Sequence, residues 1–183
     1  MNPDIQVIDN FVTEEALIEL NNFFIHQCDW RWNDSCVYPI HEQECQERFR
    51  NKDYDYDNTL TCNPLDDYQL VHMIYANYQY LSPLRLYPFF RDLDANAVVK
   101  CKANLNPRTS EIIKHSYHKD MPFECKTAVF YVNTCDGYTE FEECGTRVES
   151  VAGRIVIFPS NLSHTGTSCT NDKKRIVMNI NYF

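Results

Sequence analysis

Two stretches of alternating residues bound what this chain can become. Between 97 and 105, Val99, Cys101, Ala103 and Leu105 fall on one side, and Lys100, Lys102 and Asn104 on the other. From 175 to 182, Ile176, Met178, Ile180 and Tyr182 oppose Arg175, Val177, Asn179 and Asn181. Successive side chains of a strand point to opposite faces. A strand with one apolar and one mixed polar face lies between an apolar layer and a wet pocket. Both segments therefore belong in one sheet, with helices outside it and the functional cavity inside. Further strands are expected at about 5–8, 111–119, 126–133, 138–142, 146–151 and 153–158. Turns are marked by Asn106-Pro107, Met121-Pro122, Asp136-Gly137, Cys144-Gly145 and Ala152-Gly153. The chain is thus expected to be mainly β with N-terminal helices. Its core reads as a distorted double-stranded β-helix, jelly-roll or cupin-like, with the helices packed outside the major sheet.

The first 90 residues read as support. Thr13 is a good N-cap, Glu14 and Glu15 follow where the helix dipole favours acid, and Leu17, Leu20, Phe23 and Phe24 recur at helical spacing. These features predict a helix over 13–27. A second helix is expected over about 66–80, capped by Asp66 or Asp67, with Leu70, Met73, Ile74, Asn77 and Tyr78 on one broad face and Ser82-Pro83 ending it. Residues 84–90 form an apolar and aromatic connector. Residues 28–62, where Trp30, Trp32, Tyr38, Phe49, Tyr54 and Tyr56 mix with charge, show no clean period. They fit either a covering insertion or a substrate lid. No linker or repeat interrupts the 183 residues, so one domain is expected, with 1–90 as helical support and lid segment and 97–183 as the β-helix core.

Composition disfavours several classes without excluding a local basic groove. A formal charge of −9 argues against sequence-independent nucleic-acid binding, which depends on Lys and Arg neutralising phosphates. No apolar run reaches membrane-span length, and Met1-Asn2-Pro3-Asp4 has neither the basic start nor the apolar centre of a signal peptide. The expectation is a cytoplasmic protein. Nine cysteines without a Cys-x-x-Cys pair argue against a zinc knuckle, and reduced, partly buried thiols are expected.

The chemistry sits at His118-Lys119-Asp120. In an extended segment, residues two apart share a face, so an imidazole and a carboxylate stand side by side. With His164 from a distant strand they make a 2-His-1-carboxylate set, which holds ferrous iron on one face and leaves positions open. Arg175, within the last apolar run, offers a fixed guanidinium for a carboxylate. Taken singly, His118 also reads as a core histidine, Asp120 as a turn residue before Met121-Pro122, and Arg175 as a strand-edge cation beside Lys173 and Lys174. His115 points away from His118 in a regular strand and is not counted as a ligand.

From about Val98 to Phe183 the chain resembles the 2-oxoglutarate- and Fe(II)-dependent oxygenases of the prolyl-4-hydroxylase-like group. The resemblance rests on His118-Lys119-Asp120, Thr127 through Asn133, Gly153 through Pro159, His164-Thr165-Gly166 and Arg175 through Phe183, with a weaker echo at Ile5 through Phe11. It implies that His118, Asp120 and His164 ligate Fe(II), that O2 and 2-oxoglutarate are co-substrates, and that ascorbate serves as a reductant. Arg175 then takes the distal carboxylate of 2-oxoglutarate. Tyr131 matches a tyrosine that reaches the same carboxylate in some members, and reads equally as a barrel-core aromatic. Asn104 resembles an asparagine beside the cosubstrate. Thr127, Asn179 and Lys102 are candidates for the pocket wall. The strand after Asp136-Gly137 carries Tyr138-Thr139 where relatives often have a glycine pair, which alters that wall.

The implied reaction releases succinate and CO2 and hydroxylates a peptide residue, amino acid or small metabolite. Asp120 favours hydroxylation, since related halogenases carry a small residue there. The alternatives are a nucleobase- or nucleotide-modifying dioxygenase, whose aromatics at 30–56 would stack on a base, and a non-catalytic binding module on the same fold. The substrate and the oligomeric state are not encoded in any motif.

Overall fold

The computed structural model describes residues 4–36 and 64–183. In chain order the elements are β1 (Gln6–Ile8), α1 (Glu14–His26), β2 (Arg31–Asn33), a 3-10 turn (Pro64–Asp66), β3 (Gln69–Ala76), β4 (Gln79–Tyr80), α2 (Tyr87–Asp92), β5 (Val98–Pro107), β6 (Lys126–Tyr131), β7 (Tyr138–Phe141), β8 (Arg147–Glu149), β9 (Ile155–Pro159), β10 (His164–Gly166) and β11 (Lys174–Tyr182). The major sheet runs β1-β9-β6-β11-β5-β3-β2, with β4 paired to β3, and a minor sheet runs β10-β7-β8. All these pairings are antiparallel. Two facing sheets with helices outside the larger one match the double-stranded β-helix read from the sequence.

The alternation in β5 and β11 does what it foretold. Ile176, Met178, Ile180 and Tyr182 join Cys101 and Ala103 in a buried cluster with Leu20, Phe23 and Phe24 of α1 and Phe89 and Phe90 of α2. Neighbouring β6 divides likewise, with Ala128 and Phe130 in that outer cluster and Val129 and Tyr131 in a second one. The second cluster, with Phe141, Val148, Val156 and Phe158, fills the space between the sheets. α1 begins as expected: Thr13 Oγ1 accepts from the Ala16 N–H at 3.3 Å, and its first-turn acids oppose the helix dipole.

The second helix expected over 66–80 is not formed. Residues 69–76 are instead a strand, paired with β5 on one side and β2 on the other. Leu70, Met73 and Ile74 suit a helical face, but His72 and Ile74 point together into the outer cluster side while β5 supplies the backbone partners. Tertiary pairing outweighs that local spacing. Asn77 and Tyr78, both at positive φ (51° and 62°), turn the chain tightly into β4. The 84–90 connector contains the start of a short helix, α2. Of the strand expected at 111–119, only bridges form, at Lys114 to Thr167 and His118 to His164. Most of the lid expected over 28–62 lies outside the described residues. No helix among the described residues is long and apolar enough to cross a membrane.

Candidate metal centre

The His118 to His164 bridge builds the site. Reciprocal backbone hydrogen bonds, His118 N–H to His164 O at 2.9 Å and His164 N–H to His118 O at 3.0 Å, lock the two residues opposite one another. Their rings stand 4.6 Å apart, centroid to centroid. Asp120 then presents Oδ1 at 3.7 Å from His118 Nε2 and Oδ2 at 3.9 Å from His164 Nε2. One donor atom from each of the three residues lies within 4.8 Å of the others.

The reverse sides of both rings are tied down. His118 Nδ1 faces the Ser116 carbonyl at 3.4 Å and His164 Nδ1 the Leu162 carbonyl at 3.1 Å. An Nδ1–H donated to a carbonyl leaves the Nε2 lone pair pointing into the site, as metal-bound histidines require. Asp120 Oδ2 accepts from Asn181 Nδ2 at 3.3 Å, and that amide also donates to Thr127 Oγ1 at 3.0 Å. Burial, helped by the neighbouring His164, pushes His118 down to about 4, so its imidazole is neutral at pH 7. Burial pushes the Asp120 carboxyl upward, but His164, His118, Lys102 and Lys100 outweigh it and hold it well below the usual range. Two imidazoles and an ionised carboxylate converging beside an open cleft suit a divalent iron with free positions.

Arg175 lies deeper, 2% exposed, on the same inward face of β11. Its Nε donates to Ser150 Oγ at 2.7 Å, one terminal nitrogen to Thr139 Oγ1 at 3.2 Å and the other to the Thr167 carbonyl at 3.4 Å. Its Cζ stands 5.6 Å from the Tyr131 ring centroid. Among the described residues it has no carboxylate partner. A buried guanidinium surrounded by neutral groups is an unusual expense. Two glycines make room for it: a Cβ on Gly137 would fall 2.5 Å from Arg175 Cδ and 2.6 Å from the Ser168 carbonyl, and one on Gly166 would fall 3.3 Å from a guanidinium nitrogen.

A narrow cavity joins the two halves of the site, lined by His118, His164, Arg175, Asn104, Asn179 and Lys102, among others. The side-chain oxygens of Asn104 and Asn179 are buried there without a hydrogen-bond partner. Buried amides usually find partners, so these two mark a place where a polar ligand belongs. Thr127 meets the metal side through Asn181. Tyr131 stands behind the guanidinium: it is fully buried between the sheets and its hydroxyl donates to Thr139 Oγ1 at 2.9 Å. Thr139 thus bonds both Tyr131 and Arg175. Ser150 and Thr167 complete the cage and carry no motif in the sequence. His115 stays apart from the triad, as expected. With Cys36 and Asp67 it forms a network on the cavity wall, His115 Nδ1 lying 3.4 Å from Asp67 Oδ1 and Nε2 3.5 Å from Cys36 Sγ.

Solved structures share this architecture. A prolyl-4-hydroxylase from Pseudomonas putida superposes with a TM-score of 0.58 at 15% identity, over 99% of this chain and 92% of that one. The fold is that of the 2-oxoglutarate/Fe(II) oxygenases. A Trichoplax adhaerens prolyl hydroxylase, solved with a hypoxia inducible factor oxygen degradation domain peptide fragment, gives 0.54 at 13% identity over 100% and 84% of the two chains. The non-heme alpha ketoglutarate dependent epimerase SnoN from nogalamycin biosynthesis gives 0.59 at 10% identity over 99% and 78%. No protein-family model and no curated protein matches the chain by sequence. Hydroxylases and an epimerase on one fold show that architecture does not choose the reaction.

Proposed function

We propose that the whole chain is one Fe(II)- and 2-oxoglutarate-dependent dioxygenase domain that hydroxylates a C–H bond of a peptide residue, amino acid or small metabolite. The observation that carries the reading is Arg175: a buried guanidinium without a carboxylate partner among the described residues, joined by one cavity to a converged His118, Asp120 and His164. A dianionic cosubstrate with a chelating end and a distal carboxylate answers both at once. Iron, when bound with 2-oxoglutarate and O2, supplies oxidative decarboxylation to succinate and CO2 and oxidation of the substrate carbon.

The chain's own residues prepare this. His118 and His164 hold their Nε2 atoms toward the metal because their Nδ1 atoms are engaged by carbonyls. Asp120 stays ionised and is oriented by Asn181. Arg175 donates its N–H fork to the distal carboxylate, with Ser150, Thr139 and Thr167 fixing the plane of the guanidinium. Tyr131 and its apolar neighbours keep water from that end, which strengthens the ionic contact. Asn104 and Asn179 offer amides along the cosubstrate's length.

Anaerobic titration of the protein with Fe(II) and then 2-oxoglutarate tests this. The expected result is the weak visible charge-transfer band of the chelate, abolished in His118→Ala and shifted to far higher 2-oxoglutarate in Arg175→Ala. A folded, iron-loaded protein that shows no band would sink the assignment.

A further inference from the structure

A second, wider cleft of about 760 Å³ also reaches the metal centre, with His118 and Asp120 forming part of its wall. Its charge is opposite to that of the chain. Among the described residues, Arg31, Lys100, Lys102 and Lys119 line it against one carboxylate outside the metal triad, Asp29, whereas the whole chain has 26 acidic and 17 basic residues. Arg31 and Lys119 are exposed at the rim, and Lys100 and Lys102 lie further in, half-buried. Among the described residues none of the four makes an ion pair.

The sheet explains why these cations are uncompensated. Lys100 and Lys102 are two apart on the inward face of β5. Across β11 they face Asn181 and Asn179, and across β3 they face Ala76 and Met73. Neither neighbouring strand offers a carboxylate at these positions. Burial and the neighbouring Lys100 work against the Lys102 charge and Asp120 favours it, but Asp120 is committed to the metal in the proposed function. Iron, Asp120, Arg175 and the 2-oxoglutarate dianion balance one another, which leaves the described residues of the cleft with a positive excess. Partly desolvated cations on a rigid sheet attract an anion far more strongly than cations in bulk water.

We propose, building on the oxygenase reading, that the primary substrate is a small organic anion, its carboxylate or phosphate held by Lys100, Lys102 and Arg31 with the carbon to be oxidised at the metal. Lysines suit this as mobile point charges, able to follow either head group. Trp32 lines the same cleft, 61% exposed and stacked on Tyr68 with centroids 4.7 Å apart. It provides a flat apolar wall for the rest of the molecule. The volume suits a small ligand, and the net negative charge outside the cleft disfavours a long polyanion.

The test uses anaerobic protein loaded with Fe(II) and 2-oxoglutarate, at fixed ionic strength, with tryptophan fluorescence as the signal because Trp32 lines the cleft. One arm titrates tricarballylate against its triamide, and another titrates glycerol 3-phosphate against glycerol. At least one anion is expected to bind 10-fold or more tightly than its neutral counterpart, and the successful arm names the head group. Lys100→Gln combined with Arg31→Gln is expected to weaken that binding at least 10-fold, whereas the charge-retaining Lys100→Arg is expected to keep most of it. Equal binding of charged and neutral probes, or binding indifferent to the double substitution, overturns the proposal. So does saturable binding of a single-stranded oligonucleotide at physiological salt with neither small anion bound. The chelate band, recorded in the same samples, reports separately on the oxygenase reading: with the band present, a failed titration counts against the anionic substrate alone.

Discussion

Replacing Arg175 with methionine separates a ligand-binding cation from a structural one. In the ligand-free protein the guanidinium is 2% exposed, with three hydrogen bonds to neutral groups and no counter-ion among the described residues. Burial works against its charge, and a desolvated ion costs several kcal/mol unless well paired. Methionine removes that cost and keeps much of the side-chain volume. Against it stand the donors lost to Ser150, Thr139 and the Thr167 carbonyl, about 1 kcal/mol each. The two contributions nearly cancel, so urea denaturation of the metal-free variant is expected to give a stability within about 2 kcal/mol of the parent, on either side. Cosubstrate binding behaves differently. Losing one partner of a buried, hydrogen-bonded charge pair costs about 2–5 kcal/mol, a factor of about 30 or more in affinity. The paired result, near-neutral stability with 2-oxoglutarate binding weakened at least 30-fold by calorimetry or the chelate band, is what the geometry requires. A variant that loses more than about 4 kcal/mol of stability while binding 2-oxoglutarate within threefold of the parent would refute the reasoning.

Other outcomes follow from the same contacts. Gly137→Ala places a methyl 2.5 Å from Arg175 Cδ and 2.6 Å from a backbone carbonyl; the forced shift is expected to cost about 1–3 kcal/mol of stability and to weaken 2-oxoglutarate about 10-fold, and unchanged affinity would show that the guanidinium's placement is not limiting. Asp67→Ala removes the acceptor of Ser35 Oγ at 2.6 Å and of the Cys36 N–H at 3.2 Å, for an expected loss of about 2–4 kcal/mol in urea, with Asp67→Asn recovering part of it. Acid destabilises the metal-free protein through His118. Its folded value near 4 lies below the ordinary 6.5, so between those pH values the unfolded chain binds the extra proton and stability falls as pH falls. The loss approaches about 3 kcal/mol at pH 4, and a His118→Gln variant whose stability declines as steeply from pH 6.5 to 4 would remove His118 as the cause.

Much of the site was legible along the chain because it depends on local spacing. Residues two apart in an extended segment share a face, so His118 with Asp120, and Arg175 with Asn179 and Asn181, were readable without coordinates. The apolar sides of β5 and β11 were readable for the same reason, and with them the layer that α1 covers.

The rest is non-local, and only the tertiary structure decided it. Leu70, Met73 and Ile74 satisfy a helical spacing as well as a strand; the backbone partners offered by β2 and β5 made β3 a strand. The three-residue β10 is too short to carry a period, yet its bridge to His118 brings the histidines together. Ser150 and Thr139 reach Arg175 across 25 and 36 residues of chain, and no window of sequence records such contacts. The cationic cleft arises in the same way. Arg31, Lys100, Lys102 and Lys119 are dispersed in an acidic chain, and their charges sum only where the sheet gathers them around one cavity. The chain's periodicity determined which faces are apolar and which residues can ligate a metal; strand pairing determined which of those faces meet.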